Sequence, residues 1–268
     1  MPRASRSRKT TPDAGQARPA PGRGGASRAD RLLRDPEAAR PLPSLIFLSP
    51  LLAFYAIGVF FVRPDFAARA DILVRDLIEP LGLTGILAPT YIVVGVLVAW
   101  HLARRDPMRV PGRLLGLMAA ETLLLTIPIF ALHALVSALF HGAMSLEMVA
   151  GGDPAAGWLA VALTSVGAGI YEELLFRLIM VGVPLGIAWK VFRIDSSGLV
   201  VAVVLVAAGI FAGAHTIDDP RRFAWDSFIF RAGAGAYLGY VFARRGFGIA
   251  AGTHIVFDLV VKLASFLA

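Results

Sequence analysis

The sequence contains no cysteine and no asparagine, and its single glutamine is Gln16. Without cysteine there is no disulfide framework, no thiol nucleophile and no Cys-ligated zinc. Charge is scarce too. Only 17% of the 268 residues are Asp, Glu, Lys or Arg, against about 25% in soluble domains, while 57% are hydrophobic. That balance excludes a soluble globular protein. The net charge of +7 does not point to nucleic acid, because residues 1–42 hold ten Arg/Lys and four Asp/Glu and the rest is nearly neutral. At about 20 residues per helical crossing, the chain reads as an all-α, polytopic transmembrane bundle of about seven to eight spans.

Residues 1–42 are rich in Arg, Pro, Ala, Gly and Ser and lack apolar periodicity, which predicts a disordered basic tail. The first apolar run starts only at Ser44, too late for a secretory signal. Apolar runs follow at 44–62, 81–101, 114–140, 158–192, 198–215, 227–243 and 247–268. Residues 63–80 mix charges with Phe66, Ile72, Leu73, Leu77 and Ile78, the pattern of an interfacial amphipathic helix. The chain thus divides into a tail (1–42), N-terminal transmembrane helices with the interfacial helix (43–156) and a membrane core (157–268). The run 158–192 is longer than one crossing needs and contains Gly167, Gly169, Gly182 and Pro184. It is either a long broken helix or two segments.

Ionisable groups inside apolar runs are costly and mark functional candidates. They cluster in the C-terminal half of the chain: Tyr171-Glu172-Glu173-Leu174-Leu175-Phe176-Arg177, then Phe211-Ala212-Gly213-Ala214-His215, then His254-Ile255-Val256-Phe257-Asp258. On a helix Glu173 and Arg177 are i,i+4 neighbours able to pair, as are His254 and Asp258. Glu172 points about 100° away from Glu173 and lacks that partner. One carboxylate and two imidazoles meeting in a low-dielectric site could activate water, by general-base catalysis or through a bound divalent metal. Glu121 reads as a buried partner for Arg231 or Arg177. Gly182/Gly186, Gly209/Gly213, Gly235/Gly239 and Gly248/Gly252 carry the four-residue glycine spacing that lets membrane helices approach closely.

These three elements, in this order, resemble the CPBP family of intramembrane proteases, which includes CAAX-processing (Rce1-like) enzymes and bacteriocin-related Abi proteins. Its pattern is Glu-Glu-x-x-x-Arg, then Phe-x-x-x-His, then His-x-x-x-Asn or Asp. The resemblance spans about residues 157–268 and implies an intramembrane endopeptidase. By match, Glu172 activates the attacking water, and His215 and His254 orient it or polarise the scissile carbonyl. Glu173, Arg177 and Phe211 support the site or bind substrate, and Asp258 takes the oxyanion position. This chain departs from the Asn form. With no carboxamide beyond Gln16, Asp258 could donate a hydrogen bond only if protonated; otherwise it would orient His254 or ligate a metal. No cofactor is favoured. A zinc-dependent route would use Glu172, His215, His254 and Asp258. His-Glu-x-x-His, Gly-x-Ser-Gly and Gly-x-Gly-Asp motifs are absent from the apolar runs.

The implied partners are membrane lipids and a membrane-anchored protein or peptide substrate, with no nucleic acid. The expected location is a bacterial-type cytoplasmic membrane, multi-pass, with the N-terminus cytoplasmic. The site faces the cytoplasm if 158–168 crosses the bilayer separately, and the opposite side if it does not. Two other classes fit the same residues: a proteolytically silent family member acting in immunity or as a scaffold, and a small proton-coupled transporter.

Overall fold

The computed structural model describes residues 37–62, 69–82, 84–141, 157–194, 196–216 and 223–267, all within the unit Asp35–Ala268. Among them there is no strand. In chain order the helices are α1 (Pro41–Ile57, prolonged by a π turn, Gly58–Val62), α2 (Arg69–Ile78), α3 (Ala88–Arg104), α4 (Gly112–His141), α5 (Gly157–Glu173), α6 (Val183–Lys190), α7 (Ser197–Thr216), α8 (Trp225–Arg245) and α9 (Phe247–Leu267). A π-helical stretch, Leu174–Gly182, joins α5 to α6 without a break.

This is the helical membrane bundle that composition predicts. Among the described residues, four helices are long and apolar enough to cross a bilayer: Pro41–Phe61, Gly112–His141, Ser197–His215 and Phe247–Ser265; α3 is a shorter apolar helix. Their outward faces are hydrocarbon-like. Leu123, Leu124, Leu135 and Leu139 on α4, and Val201, Leu205 and Val206 on α7, are all exposed. In water such faces would aggregate, whereas lipid solvates them.

Two boundaries differ from the sequence reading. The described structure includes the end of the segment read as tail. Glu37–Ala39 form a 3-10 turn with Ala38 buried, and α1 starts at Pro41, where a proline-set φ suits the first helical turn. Residues 1–36 lie outside the described residues. The second difference concerns 158–192. Helix α5 runs unbroken through Ala168 and Gly169, so no separate segment ends there. The irregularity comes later, as π-helix starting immediately after Glu173. Pro184, in the first turn of α6, cannot donate to the preceding turn, and the π register just before it accommodates the missing bond.

Helix α2 falls within the expected interfacial segment and packs on α5. It buries Val74 and Ile78 while Ile72, Leu73 and Leu77 stay exposed; residues 63–68 lie outside the described residues.

Contacts fix the directions of the helices. Gly235 of α8 lies against Ala208 and Phe211 of α7, and Gly239 against Val204, so α7 and α8 are antiparallel. Asp226–His141, Tyr237–Leu125 and Arg245–Glu121 contacts make α8 antiparallel to α4. Arg177 meets Gly235 and Gly182 meets Phe242, so the π stretch runs parallel to α8. Gly246, at φ 81°, is the single residue between α8 and α9, a left-handed conformation that costs glycine little. The start of α9 returns to the start of α1, where Gly248 N–H donates to Ser44 Oγ at 3.1 Å.

Of the four glycine pairs, Gly235/Gly239 and Gly248/Gly252 are contact surfaces, whereas Gly186, Gly209 and Gly213 face open space.

Candidate active site

The site forms where α5, the π stretch, α7 and α9 meet. A Cβ at Gly169 would stand 2.3 Å from Ile255 Cγ1 and 2.9 Å from the Ile255 backbone nitrogen. Only a glycine lets the α5 and α9 backbones come that close. One helical turn further along α5, Glu173 then reaches His254.

Glu173 is fully buried and its Oε1 has two partners. Arg177 Nη1 stands at 3.1 Å and His254 Nδ1 at 2.9 Å. Arg177, itself 2% exposed, also donates from Nη2 to the Gly235 carbonyl at 3.4 Å. Its guanidinium lies over the Phe211 ring, 4.7 Å from the centroid. The expected i,i+4 pair is therefore present, and it ties α5 and the π stretch to α7, α8 and α9.

Glu172 faces elsewhere, as helical geometry requires. Its Oε1 is 3.5 Å from His215 Nε2 and its Oε2 is 3.7 Å from His254 Nε2. The tautomers follow from the partners. His215 Nδ1 sits 2.9 Å from the Phe211 carbonyl, which can only accept, so Nδ1 carries the proton and Nε2 the free lone pair. His254 Nδ1 donates to the Glu173 carboxylate in the same way. Both imidazoles thus turn Nε2 towards Glu172, at separations too long for a direct hydrogen bond. Glu172 and the His215 Nε2 lone pair are both acceptors, which a water seated beside them satisfies by donating to each.

Phe211 is the hub of the aromatic packing. Its ring is edge-on to His215 at 4.7 Å, to Phe176 at 5.0 Å and to His254 at 6.4 Å. It holds both imidazole planes, and its own carbonyl sets the His215 tautomer.

Asp258 Oδ1 is 3.7 Å from His254 Nε2, and its Oδ2 accepts a 2.6 Å hydrogen bond from Lys262 Nζ. Lys262 is the group the sequence reading missed. It is the next i,i+4 step after His254 and Asp258 on one face of α9, and that regular spacing was the available signal. An ammonium at Oδ2 is the partner of a carboxylate acceptor, not of a neutral donor.

The structure thus brings together Glu172, Glu173, Arg177, Phe211, His215, His254 and Asp258. Glu121 is elsewhere: it pairs with Arg245 rather than with Arg231 or Arg177. Arg231 donates to Ser227 Oγ. His133 packs in an aromatic cluster with Phe230 and Phe257, and His141 pairs with Asp226. Among the described residues no three His, Asp or Glu groups stand in an arrangement that could hold a metal ion.

Neither a curated protein nor a solved structure matches the chain. One family does: residues 154–260 match the Rce1-like family, described as type II CAAX prenyl endopeptidase Rce1-like. The matched segment contains every site residue except Lys262, so the C-terminal part of this chain is similar to the Rce1-like domain and consistent with the CPBP/CAAX family of intramembrane proteases.

Proposed function

We propose that the chain is an intramembrane endopeptidase in which Glu172 is the general base. The observation that carries this reading is the division between the two glutamates. Glu173 is consumed by Arg177 and His254, whereas Glu172 meets only the Nε2 edges of two imidazoles. A water between them gives one proton to Glu172 while its oxygen bonds to the scissile carbonyl carbon. The proton returns to the amine nitrogen as the C–N bond breaks.

The two histidines differ in their support. His215 is backed by a neutral carbonyl and orients the water through its Nε2 lone pair. His254 is backed by a carboxylate at Nδ1, which stabilises the doubly protonated ring, so it enters the reaction as an imidazolium whose Nε2–H donates to the oxyanion. Asp258, held by Lys262, positions His254 and does not itself donate. No metal takes part in these steps. The substrate is a peptide bond in a membrane-associated or C-terminal segment; the matched family's description names a prenylated one.

The test is hydrolysis of a membrane-anchored reporter by purified protein, wild type against Glu172→Gln, each before and after dialysis against a chelator. The expected result is Glu172-dependent cleavage that survives the chelator. Cleavage unaffected by Glu172→Gln sinks the glutamate mechanism. Loss on chelation, reversed by added zinc, replaces it with a metal route. Substrate-driven proton uptake in proteoliposomes without cleavage favours a transporter.

A further inference from the structure

The contacts that fix helix direction also sort the charged residues into two poles. The α8–α9 junction, the α6–α7 junction and the start of α1 lie at one end of the bundle, as shown by Gly182 against Phe242 and Ser44 against Gly248. The α3–α4 junction lies there too. Thr90 and Tyr55 both meet Tyr171 near the other end, so α3 runs back towards the start of α1. The three junctions at this end, residues 101–113, 190–196 and 244–246, hold eight Arg/Lys and two Asp. The described residues of the segments joining helices at the opposite end, 69–80, 141, 157 and 223–226, hold two Arg and four Asp/Glu. Ala39, just before α1, lies beside Gly246 at the first end.

The catalytic cluster lies towards the second end. Gly235, level with Arg177 and Phe211, is about ten residues and so about 15 Å along α8 from Arg245. His215 is one further turn beyond Phe211, in the last turn of α7. Glu172 precedes Arg177 on an element running parallel to α8, so it too is displaced away from the basic pole. His215 is the most accessible of the water-facing groups, its side chain 25% exposed against 12% for Glu172 and 9% for His254. Since α5 is continuous through Ala168, no extra crossing reverses this relation. Exposed Phe223 and Trp225 mark the rim at that end, the aromatic signature of a membrane–water interface.

Arginine and lysine in short connections are retained on the cytoplasmic side. We propose that the site opens at the exoplasmic face, and that its substrate is a peptide segment presented from outside the cytoplasm rather than a cytoplasmic tail. This rests on the peptidase reading for the word substrate, but not for the orientation.

The absence of cysteine makes the orientation directly measurable. Single-cysteine variants of the full chain, Phe223→Cys at the site pole and Ile194→Cys at the basic pole, are treated with a membrane-impermeant maleimide in intact bacterial cells and after permeabilisation. Trp225→Cys and Val191→Cys form a second pair should either variant insert poorly. The expected result is labelling at the site pole in intact cells and at the basic pole only after permeabilisation. The reverse pattern, or equal labelling of both, overturns the proposal. Right-side-out vesicles given an external peptide reporter supply the second arm. External labelling of the site pole without Glu172-dependent cleavage sinks the peptidase reading and leaves the orientation standing. Reverse labelling with Glu172-dependent cleavage of a luminal reporter does the opposite.

Discussion

Glu172 and Glu173 are adjacent, both buried, and about 100° apart around the helix; the separation of their roles follows from that angle. Glu172→Gln removes a base and keeps the shape, so hydrolysis should vanish while the melting temperature stays near wild type. Glu173→Gln leaves Arg177 buried without its counter-charge and His254 without its acceptor. Breaking one partner of a buried ion pair costs about 3–5 kcal/mol, so both activity and melting temperature should fall. Thermal melts beside turnover measurements check this; equal melting temperatures for the two variants would refute the division.

Asp258 and Lys262 form the second residue-level pair, with side chains 11% and 16% exposed. Lys262→Met strands a carboxylate and should lower both stability and turnover. Adding Asp258→Asn removes that charge and should restore the melting temperature, since neither group is then buried alone. Asp258→Asn by itself keeps an acceptor for Lys262 and should be far milder than Asp258→Ala. If Lys262→Met changes neither melting temperature nor turnover, the lysine merely reaches for the interface and has no part in the site.

At the level of helices, the crossing of α5 and α9 at Gly169 and Ile255 sets the distance between the glutamates and His254. Gly169→Ala must push Ile255 or the α9 backbone aside. Overpacking of this kind costs about 1–3 kcal/mol, and here it also moves Glu172 and Glu173 away from the imidazole. Turnover should therefore fall more steeply than stability. Gly209→Ala is the control, because a methyl there meets nothing within 4 Å and adds helix propensity. Comparable losses in both variants would mean that the glycines act through backbone flexibility and not through close approach. The π stretch belongs to this level as well. It follows the glutamates directly and carries Arg177, so it turns the second half of the motif towards α8.

For the molecule as a whole, deleting residues 1–36 should leave turnover in detergent unchanged, since every described contact of the site lies within 37–267. In membranes the same deletion removes most of the positive charge of the N-terminal segment and should make insertion less uniform. Protease protection of a C-terminal tag, compared between full-length and shortened chains, reads this out. A purified shortened protein that loses turnover would assign the segment a part in the site.

Membrane residence, helical class, the three site motifs and their family resemblance are all local properties, and the sequence by itself determined them. Hydrocarbon forces backbone polar groups into helices, and three-and-a-half-residue periodicity assigns each carboxylate a face. Tertiary structure alone decided the partners. That Glu121 takes Arg245, that Lys262 holds Asp258, and that the long run 158–192 is one continuous path each depend on which helix lies beside which. So does the meeting of Glu172 with two histidines from helices further along the chain. Spacing along one helix sets the direction in which a side chain points, but the group it reaches is set by close approach between helices, and here a missing Cβ at Gly169 permits that approach.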